Sequence, residues 1–402
     1  MDLNRLMNNQ QHGYRKRRGC ETNTVQSWNF ITKKLMKSGA VLVLLDQMAA
    51  FDKLPHDILI QRLEEFGIRG KLLNWIENWL ERENYVQIGQ EKSEKRTQES
   101  GVPQGSSLGS LLFAIFSINL SSIIGSKHFQ YADDIKLIAD FSKPQEKRQL
   151  LNDLHNITVW SNKNKMIFSP GKCMAIIFGS KQKPPKKSQE NLPELKLCGG
   201  TIEYVDTAKD LGINLHKNAR CHFHMDKMKR KVYGLIHTFR KNFLIRTQKV
   251  MKTFWNQYII PVAIYGMTTI YQDFSRCRKS LKRLYDSFWS LNGFNVPEDV
   301  LTIEEHIEKH DYLLLHRIKY GSAETDFSFE EITQLTLNNT RAGQRGEVRT
   351  DYGRLAYEKS FVPRMRRRYA NGDFDLSDFE KSKDAFSKYI TEAIIENRYY
   401  EN

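Results

Sequence analysis

Apolar residues recur along the chain in two rhythms, the three-to-four spacing of a helix face and the two-residue alternation of a strand, and the switching between them predicts a mixed fold. In residues 24–36, Val25, Trp28, Ile31 and Leu35 fall at helical spacing until Ser38-Gly39 ends the pattern. Ala40-Val41-Leu42-Val43-Leu44-Leu45 is a short run that reads as a strand buried on both faces, ending at Asp46. Helices are predicted over residues 57–66 and 71–82. The second carries Leu72, Trp75, Ile76, Trp79 and Leu80 on one face, which assigns Trp75 and Trp79 to the core. Tyr85-Val86-Gln87-Ile88 and the polar stretch to Arg96 read as a hairpin, and residues 110–120 as a buried helix.

Around Asp133-Asp134 the apolar residues Phe129, Tyr131, Ile135 and Leu137 occupy every second place, the pattern of two short strands joined by a tight turn at Ala132-Asp133-Asp134. A helix over 145–162 follows. Residues 166–168 and 174–178 read as a strand pair around the turn Ser169-Pro170-Gly171-Lys172, 181–193 as an exposed loop, and 195–197 and 211–215 as strands. Residues 217–252 hold eleven Lys or Arg against one acid, Asp226, while Met225, Met228, Val232, Leu235, Ile236 and Phe239 mark an apolar stripe. That is an amphipathic helix with a core face and a basic face. Residues 253–293 continue as aromatic-rich helices and 297–402 as mixed helices, without an internal repeat.

Charge narrows the class of partner. The 402 residues carry 62 Lys and Arg against 47 Asp and Glu, a net charge of +15, with 40% apolar and 11% aromatic residues, so the chain is globular and suits an extended polyanion, nucleic acid first. The basic clusters Arg15-Lys16-Arg17-Arg18 and Arg364-Met365-Arg366-Arg367-Arg368 read either as solvated faces or as phosphate contacts. Five scattered cysteines argue for a reducing, intracellular compartment, nucleus or cytoplasm. Cys221-His222-Phe223-His224 lacks a second ligand pair at zinc-finger spacing. No apolar run has the length of a membrane span, and no membrane partner is expected.

Candidate chemistry gathers at three places. Two adjacent carboxylates on a turn between apolar strands repel one another, which a bound cation would relieve; an exposed Asp-Asp turn is the alternative. Asp46 ends a buried strand, where a carboxylate is rigidly held; the alternative is a cap for a helix starting at Met48. Residues 100–109 place three glycines and a proline before a buried helix, a turn that allows backbone to approach a ligand closely.

Taken in order, these segments resemble the motifs of reverse transcriptases, specifically those of non-LTR, LINE-type retroelements. Leu44-Leu45-Asp46 through Ala50-Phe51-Asp52-Lys53-Leu54-Pro55-His56 is similar to the first palm motif, Ser100 to Gly109 to the second and Tyr131-Ala132-Asp133-Asp134 to the third. Residues 160–179 and Lys209-Asp210-Leu211-Gly212 resemble later motifs, and Gln11-His12-Gly13-Tyr14 the segment before the first. The resemblance covers roughly residues 10–290. It implies an α+β right-hand polymerase palm, an antiparallel sheet with packed helices, and partial fingers in 1–215. A helical, nucleic-acid-binding thumb in 216–293 and a mostly helical region in 294–402 would follow.

The implied activity is RNA-directed DNA polymerisation with two Mg²⁺ ions, an RNA template, a DNA primer and deoxynucleoside triphosphates. Asp46 and Asp133 would be the principal metal ligands and Asp134 a supporting one, with Lys172 a candidate acid for pyrophosphate. Phe51 would press on the sugar and exclude a 2′-hydroxyl; Gln104 and Gly105 would lie along template and nucleotide, beside Tyr131 and Ala132. Arg230, Lys231, Arg240 and Lys241 would grip the duplex. The sequence departs from the family at Gln47-Met48-Ala49, where Phe-Ser-Lys is usual, and at Ser110, often proline. It also shows no counterpart of the basic Arg-Pro-Ile strand pair or of the endonuclease that precede the palm, so an N-terminally incomplete copy is expected. The competing reading is a retroelement-derived nucleic-acid-binding protein without catalysis; an RNA-templated RNA polymerase is disfavoured by Phe51. Oligomeric state is not read from the sequence.

Overall fold

The computed structural model describes residues 7–179, 192–272, 274–292, 296–333, 356–371 and 377–400. The loop expected over 181–193 lies almost wholly outside them. The chain forms two compact units, one of residues 1–23, 40–177 and 183–205, the other of 24–39, 178–182 and 206–402.

The first unit is built on a six-stranded sheet whose middle is the apolar run, strand β1 (Gly39–Leu45). β1 has neighbours on both edges, and Val41, Leu42 and Val43 are all buried. β6 (Lys127–Tyr131) and β7 (Asp134–Ala139) form the antiparallel hairpin, and β7 pairs antiparallel with β1 from Val41↔Ala139 to Leu45↔Ile135. On the other side of β1 lie β8 (Met174–Gly179), β10 (Gly200–Tyr204) and β9 (Leu195–Leu197), with β8 and β10 parallel and β10 and β9 antiparallel. Helices His56–Glu65, Lys71–Leu80, Ser107–Phe116 and Pro144–Lys163 add Leu59, Ile76, Phe113 and Leu154 to one apolar core with the sheet. The stretch 83–97 is an exposed hairpin of two short ladders, β2 (Glu83–Asn84) with β5 (Arg96–Thr97) and β3 (Gln87–Ile88) with β4 (Glu91–Lys92).

Two local expectations change. Helix Lys71–Leu80 buries Leu73, Ile76 and Leu80, leaving Trp75 55% exposed and Trp79 only partly covered, so Trp75 is not core. Residues 166–168 do not pair with β8; Phe168 bridges Gln47 instead, extending the path of β1.

The second unit contains the hairpin β11 (Thr207–Asp210) and β12 (Ile213–His216), whose turn is Leu211-Gly212. Helix His222–Asn242 buries Met225, Met228, Val232, Ile236 and Phe239 of the stripe expected from the sequence and leaves Leu235 half-buried. Phe239, Phe254, Trp255 and Phe288 then make an aromatic cluster. Helix Ile303–Lys319 starts with a reciprocal Thr302–Glu305 capping box, which satisfies two backbone N–H groups at its first turn. It packs on helix Lys383–Tyr400 through a core that includes Leu315, Phe379 and Phe386. Arg364 is buried in a two-bond ion pair with Asp311 at 2.7 and 2.8 Å, and Arg366 donates to the Glu331 carbonyl, so this basic cluster is largely spent on the fold. Among the described residues no helix is long and apolar enough to cross a membrane.

Candidate active site

Tyr131 pairs directly with Asp134, which leaves Ala132-Asp133 as a two-residue turn. Ala132 has φ +56°, a left-handed conformation that costs a residue with a Cβ about 1–2 kcal/mol and therefore needs support. Burial pushes the Asp133 carboxyl above its ordinary pKa of 3.8; its own backbone N–H opposes the shift and the charge of Asp46 adds to it. Asp46 is drawn to this place by the sheet. It follows Leu45, whose partner is Ile135, so the end of β1 arrives level with the turn.

The main chain of Asp46 is fixed on both sides, its N–H donating to Cys173 Sγ at 3.4 Å and its carbonyl accepting from the Ser169 N–H at 3.1 Å. Residues 48–52 make turns, and the Met48 N–H donates to the Ile167 carbonyl at 2.8 Å, so no helix begins here for Asp46 to cap. The same contacts tie the Ser169–Lys172 turn to Asp46. Lys172 is exposed on that turn.

The second motif is zipped to the first. The Gly101 and Val102 N–H groups donate to the Leu54 and Phe51 carbonyls at 2.7 Å each, and Gly101 lies so close that a Cβ would sit 2.5 Å from the Asp52 carbonyl oxygen. Its φ of +83° independently favours glycine. The Gln104 amide donates to the Asp52 carboxylate at 2.8 Å, which aims an otherwise exposed side chain. Gly105, at φ +78°, has open space where a Cβ would point. Phe51 stacks on Phe113 at 4.8 Å and takes the edge of Tyr14 at 6.2 Å.

The structure thus gathers Asp46, Asp133, Phe51, Gln104, Gly105, Tyr131, Ala132 and Lys172 within the first unit and leaves Asp134 exposed at the start of β7. Arg230, Lys231, Arg240 and Lys241 belong to the second unit, all exposed on helix His222–Asn242. Three residues given no role by the sequence reading join the site: Gln11 behind the turn, Tyr14 and Asp52. Burial raises the Tyr14 phenol above its ordinary pKa; a hydrogen bond with Ser110 opposes this and the nearby Asp133 charge reinforces it. The only sequence signal for Gln11 and Tyr14 was the resemblance of their segment.

Among the described residues no three Asp, Glu, His or Cys side chains converge on one ion position. Asp46 and Asp133 nevertheless suit a hard divalent cation, being two mutually repelling carboxylates of which one is largely out of water. One or two carboxylates completed by substrate phosphate oxygens is the donor set Mg²⁺ favours.

Residues 1–215 match the family model described as reverse transcriptase (RNA-dependent DNA polymerase). The chain belongs to this family. Its mixed helix and sheet are those of a polymerase fold. It is 24% identical over 343 residues to a probable RNA-directed DNA polymerase from transposon BS of Drosophila melanogaster, across 77% of this chain and 36% of that protein. It is 25% identical over 241 residues to the RNA-directed DNA polymerase from mobile element jockey of Drosophila funebris, across 57% of this chain and 25% of that one. These matches uphold the resemblance to non-LTR retroelement reverse transcriptases. The chain spans about a third and a quarter, respectively, of the two relatives' lengths. Among solved structures, telomerase from Candida albicans in complex with a TWJ fragment of telomeric RNA is similar at a TM-score of 0.39 and 11% identity, over 71% of this chain and 53% of that one. That likeness is too distant to argue from.

Proposed function

We propose that this chain carries the RNA-directed DNA polymerase activity of a retroelement, transferring deoxynucleotides to a DNA primer on an RNA template. The observation that carries the reading is the Asp46–Asp133 pair, a desolvated carboxylate held against a second one by a strained turn at the end of a buried strand. The first unit's sheet and helices are read as palm with partial fingers. Residues 1–215, 216–293 and 294–402 are read as polymerase core, thumb and C-terminal helical region.

The reaction is in-line attack of the primer 3′-hydroxyl on the α-phosphate, with pyrophosphate leaving. Two Mg²⁺ ions, when bound, would lower the cost of the attacking alkoxide and of the charge on the leaving group. Asp46 and Asp133 would hold them, with Asp134 in support from the first residue of β7. Phe51, backed by Phe113, lies against the sugar where a 2′-hydroxyl would collide. Gln104, steadied by Asp52, and the side-chain-free surface of Gly105 accept template and nucleotide beside Tyr131 and Ala132. Lys172 donates a proton to pyrophosphate from the turn tied to Asp46. Arg230, Lys231, Arg240 and Lys241 hold the duplex backbone. A nuclear or cytoplasmic location follows from this role.

The test is Asp133→Asn, which removes a charge but hardly any volume. Mg²⁺-dependent primer extension on RNA should be abolished while duplex binding persists, because a ligand needed mainly in the transition state costs about tenfold in rate per 1.36 kcal/mol lost. A second reading is a nucleic-acid-binding protein without catalysis, which the exposed basic face of helix His222–Asn242 would serve equally well. Tight duplex binding without extension by the unaltered chain would select it.

A further inference from the structure

The segment before helix Cys20–Leu35 lies along the outer edge of β6. The His12 N–H donates to the Gln130 carbonyl at 2.8 Å, the Gln130 N–H donates to the Gln10 carbonyl at 2.8 Å, and the Asn23 side chain donates to the same Gln130 carbonyl at 2.9 Å. This pairing delivers Gln11, 6% exposed, to the back of the Ala132-Asp133 turn. There its side-chain oxygen accepts from the Ala132 N–H at 3.0 Å and from the Gly13 N–H at 2.7 Å, while its side-chain nitrogen donates to the Ala132 carbonyl at 3.2 Å.

The arrangement is chemically selective. One end of the amide meets two donors and the other a carbonyl, so only a side chain with acceptor and donor at fixed separation satisfies all three. Gly13 completes the grip: a Cβ there would stand 2.5 Å from the Ala132 nitrogen, so no residue but glycine lets the strand pass at this distance. The residue gripped is the one in the left-handed conformation, and the next residue is Asp133.

We propose that Gln11 is a positioning residue of the polymerase site, clamping both backbone groups of Ala132 so that the Asp133 carboxylate is held at the metal position. The proposal rests on the polymerase reading above, and its failure is separable from the failure of that reading. Gln11 touches neither substrate nor metal; it acts through the turn.

The experiment titrates Mn²⁺ into the 402-residue chain, followed by electron paramagnetic resonance without nucleic acid, for the unaltered protein, Asp133→Asn, Gln11→Met and Gly13→Ala. Met keeps the length and packing of Gln but makes none of the three hydrogen bonds. Gln11→Met should weaken Mn²⁺ binding on the order of 10- to 100-fold, the usual consequence of losing a group that orients a ligand. Primer extension should fall with it, while far-ultraviolet circular dichroism and duplex affinity hold. Gly13→Ala should reproduce this selective loss by pushing the turn with Gln11 in place, and decides the matter if Gln11→Met does not fold. A folded Gln11→Met that binds Mn²⁺ like the unaltered chain overturns the proposal, as does unfolding of both variants, which would make the segment framework alone. Equal Mn²⁺ binding by the unaltered protein and Asp133→Asn would instead bring down the polymerase reading, and the positioning role with it.

Discussion

Asp133 sets function against stability within one side chain. Its carboxyl protonates more readily in the folded chain than in the unfolded one, so folding takes up a proton between the ordinary pKa of 3.8 and the raised value. Its contribution to stability is therefore most favourable below the ordinary value and worsens as pH climbs through the raised one. Without divalent cations, Asp133→Asn should melt above the unaltered protein at neutral pH, with the gap closing towards acid; calorimetry over a pH series reads this, and a gap of the opposite sign would deny the desolvation. Mg²⁺ should raise the melting temperature of the unaltered protein alone, since a ligand bound only by the native state stabilises it. Phe51 poses a second question of the same size. If it bars the 2′-hydroxyl, Phe51→Val should incorporate ribonucleotides more readily relative to deoxynucleotides; equal discrimination would reduce Phe51 to a packing partner of Phe113.

Among the helices, the Arg364–Asp311 pair joins Phe361–Ala370 to Ile303–Lys319. Arg364 also donates to the Tyr271 and Thr268 carbonyls, and Arg368 stands 3.6 Å from the fully buried Asp311. Arg364→Ala would leave that carboxylate short of its main partner, a change that costs about 3–5 kcal/mol. Denaturant unfolding should show it, and Arg364→Lys should recover little, because an ammonium cannot make the two-bonded contact. Elements of this kind mark the boundary of what the sequence discloses. Helix His222–Asn242 was readable because a single apolar period fixes both type and inward face, the β6–β7 hairpin because its apolar residues alternate, and strand β1 because its apolar run is short and unbroken. In helix Lys71–Leu80 the apolar residues fill one arc of about half the circumference, so the period found the helix but not which edge of the arc meets the core: Leu73, Ile76 and Leu80 are buried at one edge, and Leu72 and Trp75 emerge on the surface at the other. Asp46 and Asp133 were legible because each closes an apolar pattern with a charge. The Gln11 clamp spans 121 residues and the Arg364 pair 53, and no local pattern records partners so far apart. β10 and β11 were missed for another reason: short strands rich in Gly, Thr, Glu and Lys carry little hydrophobic signal.

Over the whole molecule the net charge of +15 is unevenly used. Arg15 donates to the Asn8 carbonyl, Arg62 to Asn164 with its guanidinium over Phe116, and Arg364 to Asp311, so these cations serve the fold. Arg230, Lys231, Arg240 and Lys241 differ in standing exposed on a helix whose opposite face is core. Charges arranged this way meet phosphates without reading bases, and each phosphate neutralised releases counterions, contributing about 0.9 to the slope of log affinity against log salt on B-DNA. Replacing all four by glutamine should therefore weaken binding to every primer–template duplex alike and flatten that slope, with the sequence preference unchanged. The fold should be indifferent, since none of the four side chains contributes to the core. Fluorescence anisotropy across a salt series measures both quantities. A slope unchanged by the four substitutions would assign the duplex to other cations of the chain, and a loss confined to particular sequences would mean that the helix reads bases.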